Sequence, residues 1–287
     1  MAPLPPLISA GALAARLEDP RLRVLDATTW LTIDPHGAPP EIESGRAAWE
    51  GGHIPGSGFA GVLELSDPDS DLRFTLLSPE RFAEAMSALG VGPGTHVVAY
   101  DRESGMWATR LWWMLRAFGF DDVSVLDGGL RAWRDAGLAV STDRPSHPPA
   151  TFAPRPRPEL IATRADVEAA IAGGETCTIN ALAAPLHSGQ VPVVPGRPGR
   201  IPGSVNVPSG ALVDPETNRF LPAERLREHF DGVGALDRPR IVTYCGGGIA
   251  ATLDAFALAL LGRDDVAVYD GSMVDWAADP SAPLEVG

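Results

Sequence analysis

Four blocks of this 287-residue chain occur twice, in the same order and at similar spacings of 143 to 154 residues. The first half reads Arg23-Val-Leu-Asp26-Ala, Gly52-His53-Ile54-Pro55-Gly56-Ser57, His96-Val-Val-Ala-Tyr100-Asp101 and Val125-Leu-Asp127-Gly128-Gly129-Leu-Arg-Ala-Trp133. The second reads Cys177-Thr-Ile-Asn180-Ala, Gly199-Arg200-Ile201-Pro202-Gly203-Ser204, Arg240-Ile-Val-Thr-Tyr244-Cys245 and Val268-Tyr-Asp270-Gly271-Ser272-Met-Val-Asp-Trp276. Such a tandem duplication makes the chain fold one unit twice. Between the copies, residues 145–158 carry six prolines, which disfavour helix and sheet and suit an extended linker. The expected domains are therefore 8–144 and 159–287, joined by the linker 145–158.

Within each copy short β-rich runs alternate with helical stretches. Val97–Tyr100 and Ile241–Tyr244 have the composition of buried strands. Residues 79–89 predict a helix with Ser78 as N-cap and Pro79 in its first turn, and 250–261 predict a second, almost wholly apolar one. Strand–helix alternation implies an α/β fold with a parallel sheet flanked by helices in each copy.

Composition narrows the function. The net charge is −14 and all 23 basic residues are arginine, so sequence-independent nucleic-acid binding is not expected, and lysine chemistry is absent. An anionic substrate needs a local arginine pocket set against the overall field. No apolar run is long enough for a membrane helix and the N-terminus lacks the pattern of a signal peptide, so a cytoplasmic protein is expected. Two cysteines, Cys177 and Cys245, do not make a disulfide framework. Neither they nor the six histidines show metal-ligand spacing, and no metal or cofactor is called for.

The chemistry converges on Cys245. The strand ending at Tyr244 runs into Cys245-Gly246-Gly247-Gly248-Ile249-Ala250 and then a helix. Ligands of parallel α/β sheets bind at the carboxyl ends of strands. A glycine-rich turn directs backbone N–H groups toward one point, and a helix N-terminus adds positive potential there. A thiolate at Cys245, or a persulfide anion carried on it, is held by the amides of Gly246 to Ala250. In the first copy Asp101 takes the place of Cys245, which marks that copy as catalytically degenerate. A cysteine phosphatase also places Cys between strand and helix, but its arginine six residues on is here Ala251.

Joined to Gly52–Gly56, these features extend to Ser66-Asp-Pro-Asp-Ser-Asp-Leu72, Met106–Trp113, Asp127-Gly-Gly and Asp275-Trp-Ala-Ala-Asp-Pro-Ser281. Together they resemble the two-domain rhodanese family, the thiosulfate and 3-mercaptopyruvate sulfurtransferases, from about residue 8 to the C-terminus. The resemblance implies a ping-pong cycle: a small-molecule donor gives a sulfane sulfur to Cys245, which passes it to cyanide or a thiol, such as that of a thioredoxin-like protein. The neutral loop is nearer to the Cys-Gly-Ser-Gly-Val-Thr of mercaptopyruvate enzymes than to the basic loops of thiosulfate enzymes, although Gly247 and Ala250 replace the serine and threonine. The family's Asp-Ala-Arg and a following arginine are here Asn180-Ala181-Leu182 and Leu186. Arg197 and Arg200 are the candidate replacements for gripping the donor's anion. His53 matches a family histidine and is a candidate for substrate binding or proton transfer. Cys177 is expected in the core, and Thr252 against the loop backbone. Without its usual arginines the protein can also be read as a persulfide carrier fed by a partner enzyme, or as an interaction module.

Overall fold

The computed structural model describes residues 4–32, 40–145 and 147–287. His36 and the linker's Ser146 lie outside the described residues. In the first copy the strands are β1 (Leu7–Ile8), β2 (Leu22–Asp26), β3 (Thr29–Thr32), β4 (Glu41–Ser44), β5 (Gly58–Phe59), β6 (His96–Tyr100) and β7 (Val123–Leu126). Five of them form a parallel sheet in the order β1-β7-β6-β2-β5, while β3 and β4 pair as an antiparallel ribbon. The second copy contributes β8 (Ile161–Ala162), β9 (Thr176–Asn180), β10 (Val205–Asn206), β11 (Arg240–Tyr244) and β12 (Ala267–Tyr269). Their order, β10-β9-β11-β12-β8, is that of the first sheet read from its other edge, and every pairing is again parallel.

The repeated blocks are the working parts of this shared frame. Asp26 lies opposite Tyr100 across β2 and β6, and Asn180 lies opposite Tyr244 across β9 and β11. Each buried tyrosine pins the Ile-Pro-Gly-Ser turn of its own copy. Ile54 N–H donates to Tyr100 Oη (3.4 Å) and Ser57 Oγ lies 3.0 Å from it; Ile201 N–H (3.2 Å) and Ser204 Oγ (2.7 Å) repeat this at Tyr244. The indoles of Trp133 and Trp276 each donate to a carbonyl a few residues on, Ala139 O and Pro283 O. Both are buried in the main apolar cluster of their copy.

Helix boundaries follow local chemistry. Pro79–Ala88 starts where Ser78 Oγ accepts the Arg81 N–H, and Ala250–Leu260 follows the cysteine loop. Described residues of the proline-rich linker bond by their backbone to the first copy. Ala150 N–H donates to Ser87 O, Arg155 N–H to Phe118 O and Arg157 N–H to Ala117 O.

The chain separates into two units after Arg157, with two short departures from linear order. Unit 1 comprises residues up to Asp67, Leu76–Arg157 and Pro215–Arg219, and unit 2 comprises Pro68–Thr75, Pro158–Asp214 and Phe220–Gly287. The two departures are themselves a repeat: Asp67-Pro-Asp-Ser…Arg73-Phe74 and Asp214-Pro-Glu-Thr…Arg219-Phe220. Each contains a residue in the left-handed region, Phe74 (φ 63°) and Asn218 (φ 56°).

Candidate active site

Cys245 stands directly beyond the carboxyl end of β11 and is 3% exposed. Its backbone is fixed by the segment after β12. Cys245 N–H donates to Ser272 Oγ (3.0 Å), while Met273 N–H and Val274 N–H donate to the carbonyls of Cys245 (3.1 Å) and Gly246 (2.9 Å). Ser272 is wholly buried, holds φ at +49°, and donates its hydroxyl to Tyr269 O (2.7 Å). A non-glycine residue in that region costs roughly 1–2 kcal/mol, and the hydroxyl is what reaches the Cys245 amide.

Of the three loop glycines, only Gly248 has positive φ (79°). The expected glycine-rich turn thus has one residue in the left-handed region. Gly246 and Gly247 adopt conformations open to any residue, and a Cβ there would meet Val193 Cγ1 at 3.7 Å and Phe74 Cδ2 at 3.8 Å, ordinary contacts. They leave the loop small and neutral between two apolar side chains. Thr252 touches the loop backbone as expected, its hydroxyl donating to Ile249 O (2.7 Å).

The first copy shows what this frame does to an anion. Asp101, in the position of Cys245, is fully buried, and its carboxylate accepts four backbone N–H groups: from Glu103 (3.0 Å), Gly105 (3.1 Å), Trp107 (3.0 Å) and Ala108 (3.0 Å). Burial pushes its carboxyl up to about 6, against the pull of those amides. The following residue, Arg102, pairs with Asp26 (3.0 Å) and also donates to Gly52 O (2.8 Å). Both members of that ion pair are missing in the second copy, where Asn180 and Gly246 take their places. Asn180 Nδ2 instead donates to Tyr244 Oη (3.0 Å), and its Oδ1 accepts Leu182 N–H (2.9 Å). Burial raises the Tyr244 phenol to about 12, so it stays neutral beneath the site.

Three expected substrate-binding residues are engaged elsewhere. Arg197 donates to the carbonyls of Ala277 (3.1 Å), Asp279 and Ala282 (2.7 Å), and Arg200 to Gly287 O (2.5 Å) and the Glu285 carboxylate. Both guanidiniums tie down the last residues of the chain, because a run of free carbonyls beside the loop offers them more bonds than solvent does. His53 is wholly buried with its ring stacked on Trp49. Its Nδ1 faces Trp49 O (2.8 Å) and its Nε2 faces Asp143 O (3.0 Å), so both nitrogens hold its own unit together and neither is open to a donor. Cys177 lies buried on β9, and burial pushes its thiol up. The structure adds Ser272 and Phe74 to the site. The first was visible in sequence as the serine that replaces Gly129 between copies; the second, 171 residues before Cys245, is part of a repeated segment, but nothing in that repeat places it beside the loop. Among the described residues no group of three or more metal-ligating side chains gathers, and no helix is long and apolar enough to cross a membrane.

Against known proteins, residues 9–136 and 196–279 match the rhodanese-like domain. The 3-mercaptopyruvate sulfurtransferase of Rattus norvegicus is 36% identical over 278 residues, covering 94% of this chain and 91% of that protein. The crystal structure of the Escherichia coli 3-mercaptopyruvate sulfotransferase SseA superimposes with a TM-score of 0.82 at 32% identity, covering 94% of this chain and 99% of that one. The anaerobic ergothioneine biosynthesis enzyme from Chlorobium limicola, solved with trimethyl histidine, also gives 0.82, at 25% identity over 98% of this chain and 70% of that one. With two parallel sheets of one topology and a single cysteine at the head of the second, the chain belongs to the rhodanese-like family and is an enzyme of its two-domain sulfurtransferase type.

Proposed function

We propose that the protein moves a sulfane sulfur from a small anionic donor to a thiophilic acceptor through a persulfide on Cys245, with 3-mercaptopyruvate favoured over thiosulfate. The Cys245 thiolate attacks the donor's sulfur. The carbon–sulfur bond breaks with its electron pair left on carbon, which takes a proton to give pyruvate. A thiolate or cyanide then attacks the outer sulfur of the persulfide, and the electron pair of the sulfur–sulfur bond returns to Cys245. The observation that carries this reading is the Asp101 carboxylate, held by four N–H donors at the position of the nucleophile in the repeated frame. At the repeat spacing two of those donors correspond to Gly247 and Ile249, within the Gly246 to Ala250 loop whose amides would hold a thiolate or persulfide anion. A lone reactive thiol suits a reducing cytoplasm, and a thioredoxin-like protein fits the role of thiol acceptor. The loop lacks basic residues for a sulfonate, which favours the mercaptopyruvate donor.

A second reading is favoured by the arginines: Leu182 and Leu186 stand where the family's arginines were expected, and Arg197 and Arg200 hold the chain's last residues. On that reading the protein is a persulfide carrier loaded by a partner enzyme. Incubation with 3-mercaptopyruvate, and separately with thiosulfate, followed by intact mass, separates the two. One added sulfur, lost in Cys245→Ser, supports the enzyme. Failure of folded protein to load from either donor leaves the carrier.

A further inference from the structure

One cleft lies wholly within unit 1 and has no part in the Cys245 chemistry. It encloses about 380 Å³ and is lined by Trp30, Arg102, Leu130, Arg131, Arg134 and Asp135. That volume is in the range of small-molecule sites. Three arginines converge on it in a chain whose net charge is −14. Their states differ. Arg102, with only 9% of its side chain exposed, is held by Asp26 and forms a fixed wall. Arg131 is half exposed and only loosely paired with Asp135, at 3.8 Å. Arg134 is exposed. Leu130 is 2% exposed and Trp30 half-buried, and they give the cleft its apolar lining.

The repeat shows that this cleft is not a by-product of the shared frame. At the spacing of the duplication, the positions of Arg102, Arg131 and Arg134 are Gly246, Val274 and Ala277 in the second copy. The copy that keeps the nucleophile has no charge at these three positions, and the copy that lost it has arginine at all three. The degenerate loop itself is closed to a ligand, because the Asp101 carboxylate already occupies its four N–H donors.

We propose that unit 1 carries a second, non-catalytic site for a small flat organic anion, a carboxylate, sulfonate or phosphate on an aromatic or similar apolar body. Arg131 and Arg134 bind the charged group, Arg102, neutralised by Asp26, forms the fixed wall behind them, and Trp30 and Leu130 take the apolar part. The site does not depend on which donor loads Cys245.

Phenyl phosphate is the probe, titrated calorimetrically into the full chain beside inorganic phosphate and benzyl alcohol. Phenyl phosphate is expected to bind at one site per chain and inorganic phosphate more weakly, with benzyl alcohol not binding. Arg131→Ala with Arg134→Ala should weaken phenyl phosphate at least about tenfold, since charge-assisted bonds to an oxyanion are lost. Both residues are exposed, so the variant should keep the wild-type melting temperature and the wild-type loading of Cys245. Absence of saturable binding by the wild type at millimolar probe would overturn the proposal. So would equal affinity for inorganic phosphate, or unchanged affinity in the double variant.

Discussion

Asp254 lies in the helix Ala250–Leu260, one turn beyond its start, in the element that follows the nucleophile's loop. It is wholly buried, and neither carboxyl oxygen has a hydrogen-bond partner among the described residues. Burial, with no opposing partner, raises its pKa well above the ordinary 3.8. The folded protein therefore holds this proton more tightly than the unfolded chain does. Below pH 3.8 both states are protonated and the group contributes no pH dependence. Above it the unfolded chain ionises and the folded one does not, so stability falls with rising pH, by about 1.4 kcal/mol per unit, until the folded pKa is reached.

Asp254→Asn keeps the shape, and leaves a buried polar group similarly unpartnered, but cannot titrate. The difference between variant and wild type isolates the Asp254 proton. Asp101 also titrates in this window, raised from 3.8 to about 6, but it is present in both proteins and cancels. Urea unfolding followed by circular dichroism, at half-unit steps from about pH 5 upward, reads the difference directly. Asp254→Asn should gain on the wild type by about 1.4 kcal/mol for each unit of pH. A difference that stays flat with pH would refute the reasoning, because it would mean that the carboxyl ionises in the folded state as easily as in the unfolded one.

Three further outcomes follow from the site geometry. Ser272→Gly relieves the residue's φ of +49° and removes the acceptor of the Cys245 N–H, so stability should hold or rise while kcat falls about tenfold at unchanged KM, a barrier raised by about 1.4 kcal/mol; a wild-type kcat would show that the hydroxyl does not position Cys245. Gly248→Ala should cost about 1–2 kcal/mol of stability at φ 79°, whereas Gly247→Ala, with its nearest neighbour at 3.8 Å, should be nearly neutral, both read from the melting temperature. Arg197→Ala should lower the melting temperature by freeing the carbonyls of Ala277 and Ala282 and leave the donor's KM unchanged; a raised KM would return Arg197 to anion binding.

The fold was legible because duplication is a long-range signal. Two copies of Tyr-Asp/Cys, Ile-Pro-Gly-Ser and Asp-Gly-Gly/Ser at one spacing register two sheets against each other, and the strands His96–Tyr100 and Arg240–Tyr244 begin only one residue before their sequence boundaries. The place of Cys245 at the end of β11 was legible for the same reason, since it stands where Asp101 stands in the first copy. The roles of Arg197, Arg200 and His53 were not. Arg197 and His53 meet backbone carbonyls, and Arg200 one carbonyl and the Glu285 carboxylate; carbonyls exist at every residue, so no side-chain pattern announces which ones a guanidinium or imidazole will meet. Arg197 reaches 80 to 85 residues along the chain for its acceptors and His53 reaches 90, distances over which only the folded backbone decides. Phe74 escaped for a related reason: its segment Pro68–Thr75 belongs to the first copy by sequence and to unit 2 by packing.

The electrostatic difference between the copies is best understood as a coupled loss. In the first copy Asp26 needs Arg102, because a buried carboxylate without a cation or donors is expensive, and the loop can afford that arginine since Asp101 is a fixed, internal anion. On the proposed persulfide chemistry the anion of the second copy is a transferable sulfur, and an arginine at Gly246 would bind it in the ground state and place a side chain beside the incoming donor. Removing that arginine alone would strand a carboxylate at position 180. Asn180 resolves this: it keeps the acceptor for Leu182 N–H and gains a donor to Tyr244, with no charge to compensate. The neutral strand end and the neutral loop are thus one adaptation, and restoring either charge singly, by Asn180→Asp or Gly246→Arg, should impair sulfur transfer more than restoring both together. Steady-state rates for the two single variants and the double one measure the coupling directly, and simple additivity of the two effects would show that the positions are independent.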